Sequence, residues 1–232
     1  MDLSVNKFQT YNKMIKEYFD IKDDCRKGLL KYFFRAISIL PAIDNPLILD
    51  VGCGTGVPTL ALAEKYMSNI IAIDTDKKAT NRLEEKVKEL QRTDRIKVIN
   101  SSLFDVDFEA EKFDLIIAEG FLNSVGFEKG FFKLIKLLKE ERYIIIHDEY
   151  CEHNKKVEFI ENNDCKVLGS FRLDEKIWWN DYYRCMENMI LSSENESILN
   201  FLKSDINEIK SYKQDPSKFN SMYYVIMKIS KE

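Results

Sequence analysis

Few folds accommodate an apolar run that ends in an acid and then turns on glycines at every second position, as residues 47–56 do. Residues 47–51 read as a buried strand. Asp50 stands two positions before Gly52, and Gly52, Gly54 and Gly56 lead into a helix opened by Pro58, a residue tolerated in a first helical turn. Such a turn lets backbone N–H groups converge on a ligand without side-chain obstruction. Spacing selects the ligand: a dinucleotide fingerprint, Gly-x-Gly-x-x-Gly, needs its third glycine at Val57 and so matches poorly. A tight turn flanked by helix-capping aspartates would explain any one of these features. It does not explain strand, acid, three glycines, helix, strand and acid in this order.

From Leu47 to Tyr150 short β-branched runs alternate with amphipathic stretches, the pattern of βαβ units and a parallel sheet. Strands are predicted at 47–51, 70–74, 96–99, 113–118 and 143–146. Ala79, Leu83, Val87 and Leu90 stripe one intervening helix, and Phe131, Leu134, Ile135 and Leu138 another. Beyond 150 the rhythm breaks. A strand at 166–171, an aromatic and acidic stretch at 178–183 and a helical segment near 198–212 precede a last strand at 222–229. Ahead of the sheet, Phe8, Tyr11, Ile15 and Tyr18 form one helical stripe and Phe33, Ala36, Ile37 and Leu40 a second. The expected organisation is one domain over 1–232: a helical cap at 1–45, a sheet core at 46–175 and 220–232, and an inserted helical and aromatic segment at 176–219.

Composition narrows the function. Hydrophobic residues at 45% with charged residues at 32% suit a compact enzyme, and no apolar run reaches the ~20 residues of a membrane span. The first five residues lack the basic and apolar pattern of a secretory signal, so the cytoplasm is the expected location. Five cysteines, with no Cys-x-x-Cys, fit neither a disulfide framework nor a zinc site, and reduced structural thiols are expected. Two histidines cannot supply a histidine-rich metal centre, and a formal charge of -4 argues against tracking nucleic-acid phosphates.

An acid two residues before Gly-x-Gly-x-Gly resembles the first motif of class I S-adenosylmethionine-dependent methyltransferases. The likeness covers most of the chain. Asn100-Ser101-Ser102-Leu103 resembles their adenine-side loop, and Phe113-Asp114-Leu115-Ile116-Ile117-Ala118-Glu119-Gly120 their fourth strand. The string from Ala118 to Gly130, with Trp178, Trp179, Tyr182, Tyr183, Tyr223 and Tyr224, is similar to a subgroup near the quinone-biosynthesis small-molecule methyltransferases. The resemblance implies an α/β, Rossmann-like, doubly wound seven-stranded sheet, mostly parallel with an antiparallel last strand and helices on both faces. Departures are Glu140-Glu141 for a glycine pair, Asp107 for a proline, Asn123 for an aromatic residue, and Asp23-Asp24-Cys25-Arg26 for a Gly-Pro-rich loop. The last two bear on the acceptor.

The cofactor that follows is S-adenosylmethionine. Asp50 suits its cationic amino group, directly or through water, and Gly52, Cys53, Gly54, Thr55 and Gly56 form the turn beneath it. Asp74, with Thr75, stands where such folds bind ribose hydroxyls. Ser102 and Leu103 face the adenine, and Glu119 and Gly120 the methionine portion. In-line transfer requires the acceptor atom about 3 to 3.5 Å from the methyl carbon, and a base only when the acceptor must shed a proton. His147 or Asp148 is the expected base, although a satisfied imidazole explains His147 equally well. Asn123, Glu149, Trp178, Tyr182, Tyr183, Tyr11 and Tyr18 are the expected acceptor contacts, with core packing the plainer account of the aromatic ones. Two other readings stay open: an NAD-dependent oxidoreductase, and a partner protein that binds the cofactor without turning it over.

Overall fold

The computed structural model describes the backbone of residues 3–230 and the side chains of residues 9–230; the Phe8 side chain of the expected first stripe lies outside them. Along the chain come α1 (Leu3–Arg26), α2 (Leu30–Ile39), β1 (Ile48–Val51), α3 (Val57–Lys65), β2 (Ile70–Asp74), α4 (Lys77–Glu89) and β3 (Ile96–Asn100). Then follow β4 (Phe113–Glu119), α5 (Leu122–Val125), α6 (Phe127–Leu137), β5 (Leu138–Glu149), α7 (His153–Glu161) and β6 (Cys165–Leu173). The chain finishes with α8 (Glu175–Trp178), a π-helical turn (Trp179–Tyr183), α9 (Arg184–Ser192), α10 (Glu196–Phe201), α11 (Lys203–Gln214) and β7 (Ser221–Lys228). They form two units: a helical unit of Met1–Leu30 with Asp174–Phe219, and a sheet unit of Lys31–Leu173 with Asn220–Glu232.

The sheet unit holds seven strands among the described residues, in the order β3-β2-β1-β4-β5-β7-β6. β1 to β5 run parallel, and β7 runs antiparallel to both β5 and β6. A strand covered on both faces reads as a continuous apolar run, which is why β1 is buried at all four positions. Chain direction across the sheet reverses between β1 and β4, and in open α/β sheets that reversal opens a crevice at the strands' carboxyl ends. At the opposite end Asp114 ties three strands together. Its Oδ2 accepts the Leu47 N–H at 2.9 Å, and its Oδ1 accepts from Lys139 at 2.9 Å and Arg142 at 3.2 Å.

Two details differ from the sequence reading. Leu138, expected on the helical stripe of α6, is the first residue of β5, paired with Phe113; both are fully buried, so the same apolar residue serves either period. Glu141 takes a left-handed φ of 56°, and the register shifts between Phe113 and Leu115, so the strand begins before its apolar run at Tyr143. Helix α7 has no counterpart in the sequence reading, because it carries few apolar residues; only Lys156 and Ile160 are buried.

The helical unit packs Ile21, Cys25, Tyr183, Met186, Ile198 and Leu202 into its own core. Cys25 and Cys185, 160 residues apart, form a disulfide that joins α1 to α9, which overturns the expectation of five reduced thiols. No local spacing signals that pairing, since fold topology alone brings the two sulfurs together. Cys53, Cys151 and Cys165 remain thiols. Among the described residues no helix is long and apolar enough to cross a membrane, and no three His, Cys, Asp or Glu side chains form a metal-holding group.

Candidate active site

The glycine turn between β1 and α3 is held by its own hydrogen bonds. The Gly52 and Cys53 N–H groups both donate to the Ile73 carbonyl, at 2.9 and 3.2 Å, and the Gly56 N–H donates to the Cys53 carbonyl at 2.8 Å. The Gly54 N–H donates to Asp74 Oδ2 at 2.8 Å. Four amides that the sequence reading offered to a ligand are therefore engaged within the protein. Space remains above them: a Cβ added to Gly54, or to Gly120 at the end of the neighbouring β4, meets no atom within 4 Å. Gly56 serves packing instead. Its φ is 81°, and a Cβ there would stand 2.2 Å from Leu83 Cδ1 of α4.

Asp50 lies beneath the turn, 2% exposed, and its Oδ2 accepts the Thr59 hydroxyl of α3 at 2.5 Å. Asp74 closes β2, where its Oδ1 also accepts the Asp76 N–H at 2.8 Å. A carboxylate oxygen has two acceptor sites, so each Asp74 oxygen keeps one for a further donor. Thr75 is exposed beside it, and its carbonyl accepts from Asn100 Nδ2 at 3.1 Å. The Thr55 carbonyl is held by Lys86 Nζ at 2.9 Å. Ser102 Oγ accepts the Phe104 N–H at 3.2 Å, while the Leu103 side chain is sunk in the hydrophobic core. Burial pushes the Cys53 thiol far up, an effect that Asp50 and Asp74 reinforce, so it is no nucleophile at neutral pH.

At the carboxyl ends of β4 and β5 and the amino end of the antiparallel β7, strand register sets Glu119 opposite His147 and His147 opposite Tyr223. The Tyr223 hydroxyl donates to Glu119 Oε1, and His147 Nδ1 lies 3.9 Å from the same oxygen. The His147 and Tyr223 rings stack 4.1 Å apart and 2° from parallel, and His147 Nε2 shares a 2.8 Å hydrogen bond with Ser221 Oγ. Asp148 does not join them. Successive strand residues face opposite sides of a sheet, and its Oδ2 accepts from Lys156 Nζ at 2.5 Å while Oδ1 is buried without a hydrogen-bond partner. Asn123 and Glu149 are exposed in the sheet unit. Tyr223 and Ser221 escaped the list of candidates because only the β5–β7 register brings them to Glu119 and His147.

The other expected acceptor contacts belong to the helical unit, where they pack on one another. Trp178, Tyr182 and Tyr183 make mutual ring contacts at 5.1 to 5.9 Å, and Tyr11 and Tyr18 both meet Phe201. Burial raises the Tyr182 phenol, and burial together with Glu208, which accepts a hydrogen bond from the Tyr183 hydroxyl at 2.6 Å, raises that of Tyr183.

Residues 44–189 match the family model described as a methyltransferase domain. A ribosomal protein L11 methyltransferase of Ruminiclostridium cellulolyticum is 29% identical over 82 residues, 35% of this chain and 26% of that protein. The chain spans less than half the length of the curated relatives it matches. Among solved structures, the 4+2 cyclase SpnF superposes with a TM-score of 0.74 at 12% identity, covering 87% of this chain and 82% of that one. An S-adenosylmethionine-dependent methyltransferase of Geobacter sulfurreducens, in complex with S-adenosylhomocysteine, gives 0.65 at 14% identity, covering 86% and 90%. These likenesses show the fold, and the family match goes further: the chain belongs to the methyltransferase-domain family.

Proposed function

We propose that this chain transfers a methyl group from S-adenosylmethionine to a small-molecule acceptor at the carboxyl ends of β1, β4 and β5. The observation that carries the reading is the state of the glycine turn. The Gly52, Cys53, Gly54 and Gly56 amides are engaged with Ile73, Asp74 and Cys53, so a diphosphate would find these four donors taken. A cationic amino-acid head needs acceptors, and the Asp74 carboxylate at the turn and the buried Asp50 carboxylate beneath it give the site a negative charge, with open space at Gly54 and Gly120. Val57 in place of a third fingerprint glycine supports the same choice over NAD.

The bound sulfonium would supply an electrophilic methyl; the chain's own residues hold, orient and shield. Asp74 and Thr75 hold the ribose, Ser102 and the Leu103 backbone border the adenine, and Glu119, Gly120 and the turn face the methionine portion. His147 stands on the acceptor side with Asn123 and Glu149. Asp148, charge-paired with Lys156, is the weaker base. The motif string from Ala118 to Gly130 supports a subgroup near the quinone-biosynthesis methyltransferases, and the formal charge of -4 speaks against a nucleic-acid partner. A cytoplasmic location conflicts with the Cys25–Cys185 disulfide, because cytosolic thiols are held reduced, and thiol trapping in intact cells decides between them.

A second reading is a chain that keeps the fold without transferring methyl, favoured by the likeness to a structure described as a 4+2 cyclase. The test is S-adenosylhomocysteine release with a metabolite panel. Turnover supports methyl transfer to a small molecule, and binding of the cofactor with no turnover on any acceptor favours the second reading.

A further inference from the structure

We infer that Glu119 is the proton acceptor for the methyl acceptor, positioned by Tyr223 and His147, and that the acceptor is therefore a protic nucleophile with an N–H or O–H proton to lose. The inference rests on the methyltransferase reading above and deepens it. Glu119 is the last residue of β4, and Gly120 beside it borders open space. Its side chain is 7% exposed, which screens the carboxylate from bulk water while leaving it at the crevice end of the strand.

Three features fix that carboxylate. The Tyr223 hydroxyl donates to Oε1. Tyr223 cannot swing away, because its ring is stacked between His147 at 4.1 Å and Phe171 at 5.1 Å, with the Arg35 guanidinium 4.1 Å over the far ring. His147 is itself anchored through Nε2 to Ser221, which directs Nδ1 toward Glu119. A carboxylate oriented by a rigid phenol suits proton transfer, since a base must sit within hydrogen-bond reach of the proton it takes. Asp148 is unsuited by its bond to Lys156, and His147 by its role in the stack. In the step, the acceptor's proton passes to the Glu119 carboxylate while the acceptor atom bonds to the methyl carbon. The carbon–sulfur bond breaks with its electron pair left on sulfur, so the cationic sulfonium and anionic carboxylate end as neutral thioether and neutral acid. Bulk water later removes the proton.

The test uses the full chain and the variants Glu119→Gln and Tyr223→Phe, the latter keeping the ring stack. Calorimetry with S-adenosylhomocysteine comes first and gives the cofactor affinity of each variant, since Glu119 also faces the methionine portion, so that turnover is compared with every protein saturated. S-adenosylhomocysteine formation from S-adenosylmethionine is then followed with three groups of acceptors: primary and secondary amines; phenols and alcohols; and tertiary amines and thioethers, which have no proton to lose. Turnover confined to the first two groups, with kcat at saturating S-adenosylmethionine lowered at least ~100-fold by Glu119→Gln, is the expected result. Tyr223→Phe should lower kcat about tenfold without raising the KM for S-adenosylmethionine, a split that a merely structural role would not give. Comparable turnover of the third group, or a Glu119→Gln protein that keeps its kcat, overturns the inference and leaves the methyltransferase reading standing. Wild type that binds the cofactor and turns over no acceptor in any group overturns both.

Discussion

Replacing Asp74 by Asn separates binding from folding more cleanly than replacement by Ala, because the side chain has two duties. Oδ2 accepts the partly buried Gly54 N–H and Oδ1 the exposed Asp76 N–H, both at 2.8 Å. The amide's single oxygen stays with Gly54, where an unmet donor costs more, and water takes over at Asp76. The ligand-free protein should then lose under about 1 kcal/mol, or about 2–4 °C in Tm for a chain of this size. Ribose binding fares worse: one hydroxyl loses a charged acceptor, worth about 1.5–3 kcal/mol, which raises Kd for S-adenosylhomocysteine about 10- to 150-fold. Calorimetry on wild type and Asp74→Asn, paired with thermal melts of each free protein, reads both quantities. A Kd within twofold of wild type refutes the ribose assignment, and a collapse in Tm that matches the loss of affinity reduces Asp74 to a brace for the turn.

Three further outcomes follow from the geometry. Gly56→Ala forces a side chain into a left-handed φ and against Leu83, so denaturant melts should show a loss of about 1–3 kcal/mol, and a change under 0.5 kcal/mol would contradict that packing. Burial alone would raise the Asp114 carboxyl, but Lys139, the Leu47 N–H and Arg142 outweigh it and hold it below the ordinary carboxylate value. A depressed folded-state value gives stability that is present above the unfolded-state value and lost as pH falls through the folded one. Asp114→Asn should therefore flatten the acid limb of stability against pH, and an unchanged limb would refute the role. Denatured without reductant, the protein should titrate three thiols, Cys53, Cys151 and Cys165, and reduction should cost about 2–4 kcal/mol; five thiols would exclude the Cys25–Cys185 bond.

The parallel core was legible because burial on both faces leaves an apolar run that needs no context, as at Ile48–Val51 and Phe113–Glu119. The turn was legible too, in position and in its glycines, but not in its hydrogen bonds. Nothing local says that the Gly54 N–H already belongs to Asp74, 20 residues away. Helix α7 escaped because a short polar helix carries little periodicity, and its Lys156 altered the standing of Asp148. Tyr223 and Ser221 escaped for a different reason. Their partners Glu119 and His147 lie 104 and 74 residues away, and only the antiparallel pairing of β5 with β7 sets them together.

The account turns on the charge that the crevice after β1 accepts, and titration calorimetry of the wild-type chain with S-adenosylmethionine, S-adenosylhomocysteine and NAD tests it most directly. One equivalent of either adenosyl ligand should bind, with no heat from NAD. Binding of NAD together with silence toward both adenosyl ligands would contradict it.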